Sequence, residues 1–149
     1  MNIRSFLIIF AMSSLLHSEE SFGIVVHGGA GVMSGLSEER QQEIHKKIQE
    51  TVSEAYEVLE KGGSSLDAVE LAVSMLEDSP LFNAGRGSVY NSDEVQEMDA
   101  SIMDGKNRLS GAVASVTSVK NPIKLARKVA EETKHVLLMG DGAERFARD

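Results

Sequence analysis

Two hydrophobic periods divide this chain. Ile44, Ile48, Val52, Ala55 and Leu59 fall at steps of four, four, three and four, which stacks them on one side of a 3.6-residue turn and predicts an amphipathic helix. Ser37, followed by Glu38 and Glu39, marks its start: a serine hydroxyl accepts from the first free N–H groups, and acids oppose the positive end of the helix dipole. Gly62-Gly63 is the stop. A second helix begins at once, because Ser64 and Asp67 form a capping box with aspartate in place of glutamate, and Leu66, Val69, Val73 and Leu76 carry the apolar stripe. It ends before Pro80.

The period then changes to two. From Glu94 to Asp104, Val95, Met98, Ala100 and Ile102 are apolar among polar neighbours, and Ala112–Val116 is a second such run. The Asp104-Gly105-Lys106-Asn107 segment between them predicts a turn, and the two runs a β-hairpin. Asn121-Pro122 opens a third helix with proline at the first helical position, where its missing N–H costs nothing, and Leu125, Val129 and Ala130 face inward. Val136–Gly140 predicts a strand, and Asp141 opens a final helix towards Asp149. Near the other end, Phe22–Val26 reads as a buried strand that runs into the loop Gly28-Gly29-Ala30-Gly31. The order is strand, two helices, hairpin, helix, strand, helix, an α/β chain with helices layered on a sheet. No Gly, Asn or Pro stop follows the last helix, so the expectation is that residues 22–149 are the N-terminal part of a longer domain.

Ahead of these elements, Arg4 and the apolar run from Ser5 to Leu16 precede Glu19-Glu20. About 12 apolar residues are too few to span a bilayer of roughly 30 Å as a helix, and the pattern predicts a secretory signal over residues 1–18, hence a secreted or lysosomal location. A buried N-terminal strand is the alternative. A net charge of −8 leaves no basic footprint for nucleic acid. Without cysteine there is no disulfide, thiolate metal site or cysteine nucleophile, and without tryptophan a base-stacking or sugar-stacking platform is disfavoured.

Candidate chemistry gathers at two loops. In His27-Gly28-Gly29-Ala30-Gly31 the glycines let backbone amides approach a ligand or an oxyanion. It is not a phosphate loop, since the next helix begins only after Ser37 and no Lys-Ser/Thr follows. In Leu81-Phe82-Asn83-Ala84-Gly85, Asn83 offers both an amide donor and a carbonyl acceptor, as orienting a scissile carbonyl requires. For both, a structural turn is the competing reading. Asp93, Glu94, Glu97, Asp99 and Asp104 match no calcium loop and read as solvated or turn residues. The four histidines lack ligand spacing, and no G-x-S-x-G nominates a serine.

Taken together the segments stop being anonymous. His27-Gly28-Gly29-Ala30-Gly31, Gly62-Gly63-Ser64-Ser65-Leu66-Asp67-Ala68-Val69, Leu76 to Gly87, Met98-Asp99-Ala100-Ser101-Ile102-Met103-Asp104-Gly105, Gly111-Ala112-Val113-Ala114 and Asn121-Pro122-Ile123 closely resemble the isoaspartyl peptidase/plant-type L-asparaginase family, in the family's order. The resemblance implies an N-terminal-nucleophile hydrolase with an αββα sandwich, made as a precursor that cleaves itself into α and β subunits and assembles as (αβ)2. It implies hydrolysis of the asparagine side-chain amide or of isoaspartyl β-peptide bonds by the N-terminal threonine of the β subunit, with its own α-amine as base. Thr51, Thr117 and Thr133 are this chain's threonines, and none stands in the family's Gly-Thr-Val-Gly context.

By resemblance, then, this is the α part, inactive alone, with the β part of the same precursor as its partner. Asn83, His27, Gly28 and Gly29 border the active site. A structural sodium would be held by the backbone carbonyls of Leu76, Glu77, Ser79, Phe82, Ala84 and Arg86, oxygen donors suited to a hard cation. No other cofactor is expected. The competing readings are a non-catalytic partner-binding or regulatory fragment of the same family, a glycosylasparaginase-like hydrolase fragment, and a small ligand-binding α/β domain.

Overall fold

The computed structural model describes residues 22–31 and 33–149; the signal segment expected at 1–18 lies outside them. Helix α1 (Glu38–Glu60) starts where the pattern put it. The Ser37 hydroxyl accepts from Arg40 N, and the chain leaves through Gly62 at φ +81°, a left-handed conformation that glycine adopts freely. Helix α2 (Ser65–Glu77) opens with the reciprocal capping box, Ser64 Oγ accepting from Asp67 N while the Asp67 carboxylate accepts from Ser64 N. The two helices pack together. On the α1 stripe only Ala55 is fully buried, beside Thr51, and the larger apolar residues are half-buried.

Strands β1 (Met98–Asp104) and β2 (Leu109–Val116) form the antiparallel hairpin. Its first strand starts at Met98 and not at Glu94, because Asn91 turns the chain: its Oδ1 accepts from Asp93 N and Val95 N, and Glu94 takes a left-handed φ of 59°. Its second strand reaches back to Leu109. Between Met98↔Val116 and Ala100↔Val113 the register slips, leaving a bulge on β2 where Ser115 has φ 51°. A bulge frees one N–H from the ladder, and the Asp99 carboxylate accepts that of Ser115 at 2.8 Å. Asp99 is therefore a structural acceptor and not a merely solvated acid.

Helix α3 (Pro122–Glu132) lies across β1 and β2. Ile102, Val113, Val116, Ile123, Leu125, Ala126, Val129 and Ala130, with Ala143 of the last helix, make the core between one sheet face and the helices. Gly111 permits this approach: a Cβ there would collide with the Ala126 carbonyl oxygen and the Ala130 backbone of α3. The expected strand over Val136–Gly140 shrinks to β3 (Leu138–Met139), paired in parallel with Val113 and Ala114. Helix α4 (Gly140–Arg148) starts one residue before Asp141. The order of the three-stranded sheet is β1-β2-β3.

Phe22–Val26 forms no ladder, contrary to expectation. A strand is defined by a hydrogen-bonded neighbour, and none of the described residues supplies one. The segment instead leans on α1, with the Phe22 and Tyr56 rings 5.2 Å apart, and leaves Val25 95% exposed. No helix among the described residues is long and apolar enough to cross a membrane.

Candidate active site

The loop after Val26 and the loop after α2 are 45 or more residues apart in sequence, yet they line one cavity of about 780 Å3. Its walls are His27 to Gly31 on one side and Leu81 to Ala84 on the other, floored by Ile44 of α1 and by Val73 and Leu76 of α2. The structure thus brings together His27, Gly28, Gly29 and Asn83.

Local chemistry shapes each wall. Gly29 N donates to His27 Nδ1 at 3.1 Å; because a backbone N–H can only donate, this ring nitrogen accepts, and in the neutral imidazole the proton sits on Nε2. Gly29 has φ +105°, which favours glycine. On the opposite wall Asn83 Oδ1 accepts from Val89 N at 3.0 Å. That bond fixes the amide's orientation and leaves the Nδ2 donors without a partner among the described residues.

The loop carrying Asn83 is wound tightly. Gly85 has φ +51°, and a Cβ on it would collide with the Glu77 carbonyl oxygen; one on Gly87 would collide with that of Phe82 and crowd that of Ser79. Phe82 O accepts from Ala84 N at 2.9 Å and Ala84 O from Gly87 N at 3.0 Å, while Ser88 Oγ donates to Gly85 O at 2.7 Å. Carbonyl oxygens of Glu77, Ser79 and Phe82 therefore converge on two glycines, and each carbonyl retains a lone pair beyond any bond it accepts. Among the described residues no group of three or more His, Asp or Glu side chains could hold a metal ion.

Two acidic side chains that the sequence pattern does not single out brace this region. Glu77 is 3% exposed, and its Oε1 accepts from Ile123 N at 3.0 Å, capping α3 from across the fold. Asn121, the residue preceding α3, makes no side-chain cap and instead donates to Asp78. Burial pushes the Glu77 carboxyl up from its ordinary value, against the lowering effect of the Ile123 N–H. Glu144 of α4 accepts from Thr117 N at 2.7 Å, from Ser118 N at 2.9 Å and from the Ser118 hydroxyl. Those donors, the Ser118 hydroxyl first, pull its carboxyl down to about 2. Both partnerships span more than 25 residues, so no local pattern announces them.

The three threonines are engaged elsewhere. Thr51 Oγ1 donates to Lys47 O and Thr133 Oγ1 to Val129 O, each at 2.8 Å within a helical turn, and Thr117 sits in the loop held by Glu144.

Comparison with known proteins identifies the family. The asparaginase family model matches residues 20–149. The chain is 52% identical over 129 residues to an isoaspartyl peptidase/L-asparaginase of Rattus norvegicus, covering 87% of this chain and 38% of that protein. It is 56% identical over 125 residues to a plant-type L-asparaginase of Pyrococcus furiosus, covering 84% and 40%. The chain thus spans about two fifths of the length of these curated relatives. With the family's match running through both walls of the cavity, the chain belongs to the asparaginase family, whose fold is that of the N-terminal-nucleophile hydrolases.

Proposed function

We propose that this chain is the N-terminal, α-type part of a hydrolase that opens the asparagine side-chain amide or an isoaspartyl β-peptide bond. The observation that carries the proposal is the single cavity walled by His27 to Gly31 and by Asn83. The nucleophile comes from a β-type part of the same precursor, whose N-terminal threonine adds to the scissile carbonyl carbon while the amine leaves, water then releasing the acid. In this division of labour the present chain builds the walls. Asn83, oriented through Val89 N, holds its amide donors beside the reacting group, and Gly28 and Gly29 let backbone approach it closely.

The remaining parts of the reading follow from the same assignment. The sheet face turned away from α3 carries Ser101, Met103, Ser110 and Ala112, with Met103 69% exposed; a second sheet from the β-type part covers it, completing an αββα sandwich that pairs as (αβ)2. Sodium fits the 76–86 loop, where the carbonyls of Glu77, Ser79 and Phe82 converge, with those of Leu76, Ala84 and Arg86 in the same winding. When bound it supplies charge that holds those carbonyls together. Residues 1–18 direct the precursor into the secretory pathway, towards secretion or the lysosome.

The test is ammonia release from asparagine and aspartate release from an isoaspartyl dipeptide. The chain alone is expected to give neither, and the chain produced in one frame with a family β part to give self-cleavage and turnover. Turnover by the pure 149-residue chain, or none by the self-cleaved product, would overturn the proposal.

A further inference from the structure

We infer that the Phe82 side chain is a positioning residue that transmits the state of the loop after α2 to the glycine loop at residues 27–31. The inference deepens the function proposed above and rests on it for the identity of the cation. Phe82 acts in two directions. Its carbonyl accepts from Ala84 N and closes on Gly87, so its backbone belongs to the winding proposed to hold sodium. Its ring, in a residue only 7% exposed, reaches the other way, against Gly28.

A Cβ built on Gly28 would lie 3.0 Å from Phe82 Cε1 and 2.9 Å from Ile48 Cδ1, so the Gly28 backbone rests directly on these two side chains. Gly29 and Gly31 have nothing within 4 Å of such a position. The seat of the glycine loop is therefore at Gly28. Of its two supports, Ile48 stands on α1, a 23-residue helix that packs against α2. Phe82 stands on the loop that also carries Asn83. An aromatic ring has few internal degrees of freedom, and close-packed contacts pass on displacement instead of absorbing it. Ordering of the Phe82 backbone thus sets both walls of the cavity at once, Asn83 through the chain and Gly28 through the ring. Neither the glycine motif nor the asparagine motif shows this dependence in sequence.

The test is backbone relaxation by NMR on the 149-residue chain, with Phe82→Ala, Phe82→Leu and, as a control elsewhere in the core, Val129→Ala. Each protein is measured in sodium chloride and in choline chloride at equal ionic strength. In the unchanged chain with sodium, the Gly28 and Gly29 amides are expected at order parameters of about 0.85, and in Phe82→Ala below about 0.6 in either salt. Residues 79–86 should still tighten with sodium in Phe82→Ala while the glycine loop no longer responds. Phe82→Leu, which keeps part of the packing, should fall between, and carries the same comparison if the alanine variant does not fold. Rigid Gly28 and Gly29 in both Phe82 variants, or equal loosening in Val129→Ala, would overturn the inference. If sodium changes no residue in the unchanged chain, the cation reading fails, while the sodium-free difference between Phe82 and its variants still decides the role of the ring.

Discussion

Glu144 offers the sharpest quantitative test of how the elements are held together. Its carboxylate accepts from two backbone N–H groups and the Ser118 hydroxyl of the loop between β2 and α3, with the Thr117 hydroxyl more distant at 3.5 Å and Arg148 beyond at 3.9 Å. These donors lower its pKa from an ordinary 4.5 to about 2 in the folded chain. A folded-state pKa below the unfolded one means that the stabilisation is present above about pH 4.5 and is lost as pH falls towards 2. At 1.36 kcal/mol per unit, the carboxylate contributes about 3 kcal/mol at pH 7 and only about 1 kcal/mol by pH 3. The carboxylate lies beside the exposed Arg148, so screening makes about 3 kcal/mol the upper end of its contribution. Glu144→Gln keeps the shape but removes the charge and places an amide among donors. The expected result in urea unfolding at pH 7 is a loss of about 2–3 kcal/mol, a midpoint shift of roughly 1–1.5 M for a slope near 2 kcal/mol/M. At pH 3 the gap between the two proteins should shrink to less than half. A constant gap from pH 7 to pH 3, or a Glu144 carboxyl that titrates near 4.5 by carbon NMR in the folded chain, would refute the reasoning.

Two further substitutions probe the packing and the helix signals. Gly111→Ala should cost about 2–3 kcal/mol, at the upper end of ordinary overpacking, because the new methyl meets the backbone of α3 at Ala126 and Ala130 and no side chain can give way; equilibrium unfolding measures it, and a neutral result would mean that α3 does not lie so close to β2. Ser64→Ala removes one half of the capping box and should cost about 1 kcal/mol by the same assay, with the loss concentrated in the protection of the first turn of α2 against hydrogen exchange.

How much of this was legible beforehand depended on how far apart the interacting residues are. Helix α1 with its Ser37 cap and Gly62 exit, the capping box of α2, and proline at the head of α3 were readable, because each signal and its consequence lie within a few residues. Strand ends were less so. The alternation at Val95 continues that of Met98, but an Asn91 side chain accepting two backbone N–H groups ends the ladder first. Phe22–Val26 has the composition of a strand, yet being one requires a neighbour that the described residues do not provide. In the candidate site the motifs named His27, Gly28, Gly29 and Asn83, and the family resemblance put them at the border of one site, but nothing in their spacing shows the cavity they line. The side chains of Glu77, Asp99 and Glu144 carried no local sign of their partners.

The sequence by itself therefore determined the helices, the hairpin and the family, since capping, periodicity and motif order are local properties that survive without a third dimension. Only the tertiary structure decided that Glu77 caps a helix it does not belong to, that Asp99 accepts the N–H freed by a bulge sixteen residues on, and that the Phe82 ring lies against Gly28. Those contacts arise when α1 and α2 pack together and α3 lies across the sheet, and packing brings into reach groups whose separation along the chain says nothing of their distance in space.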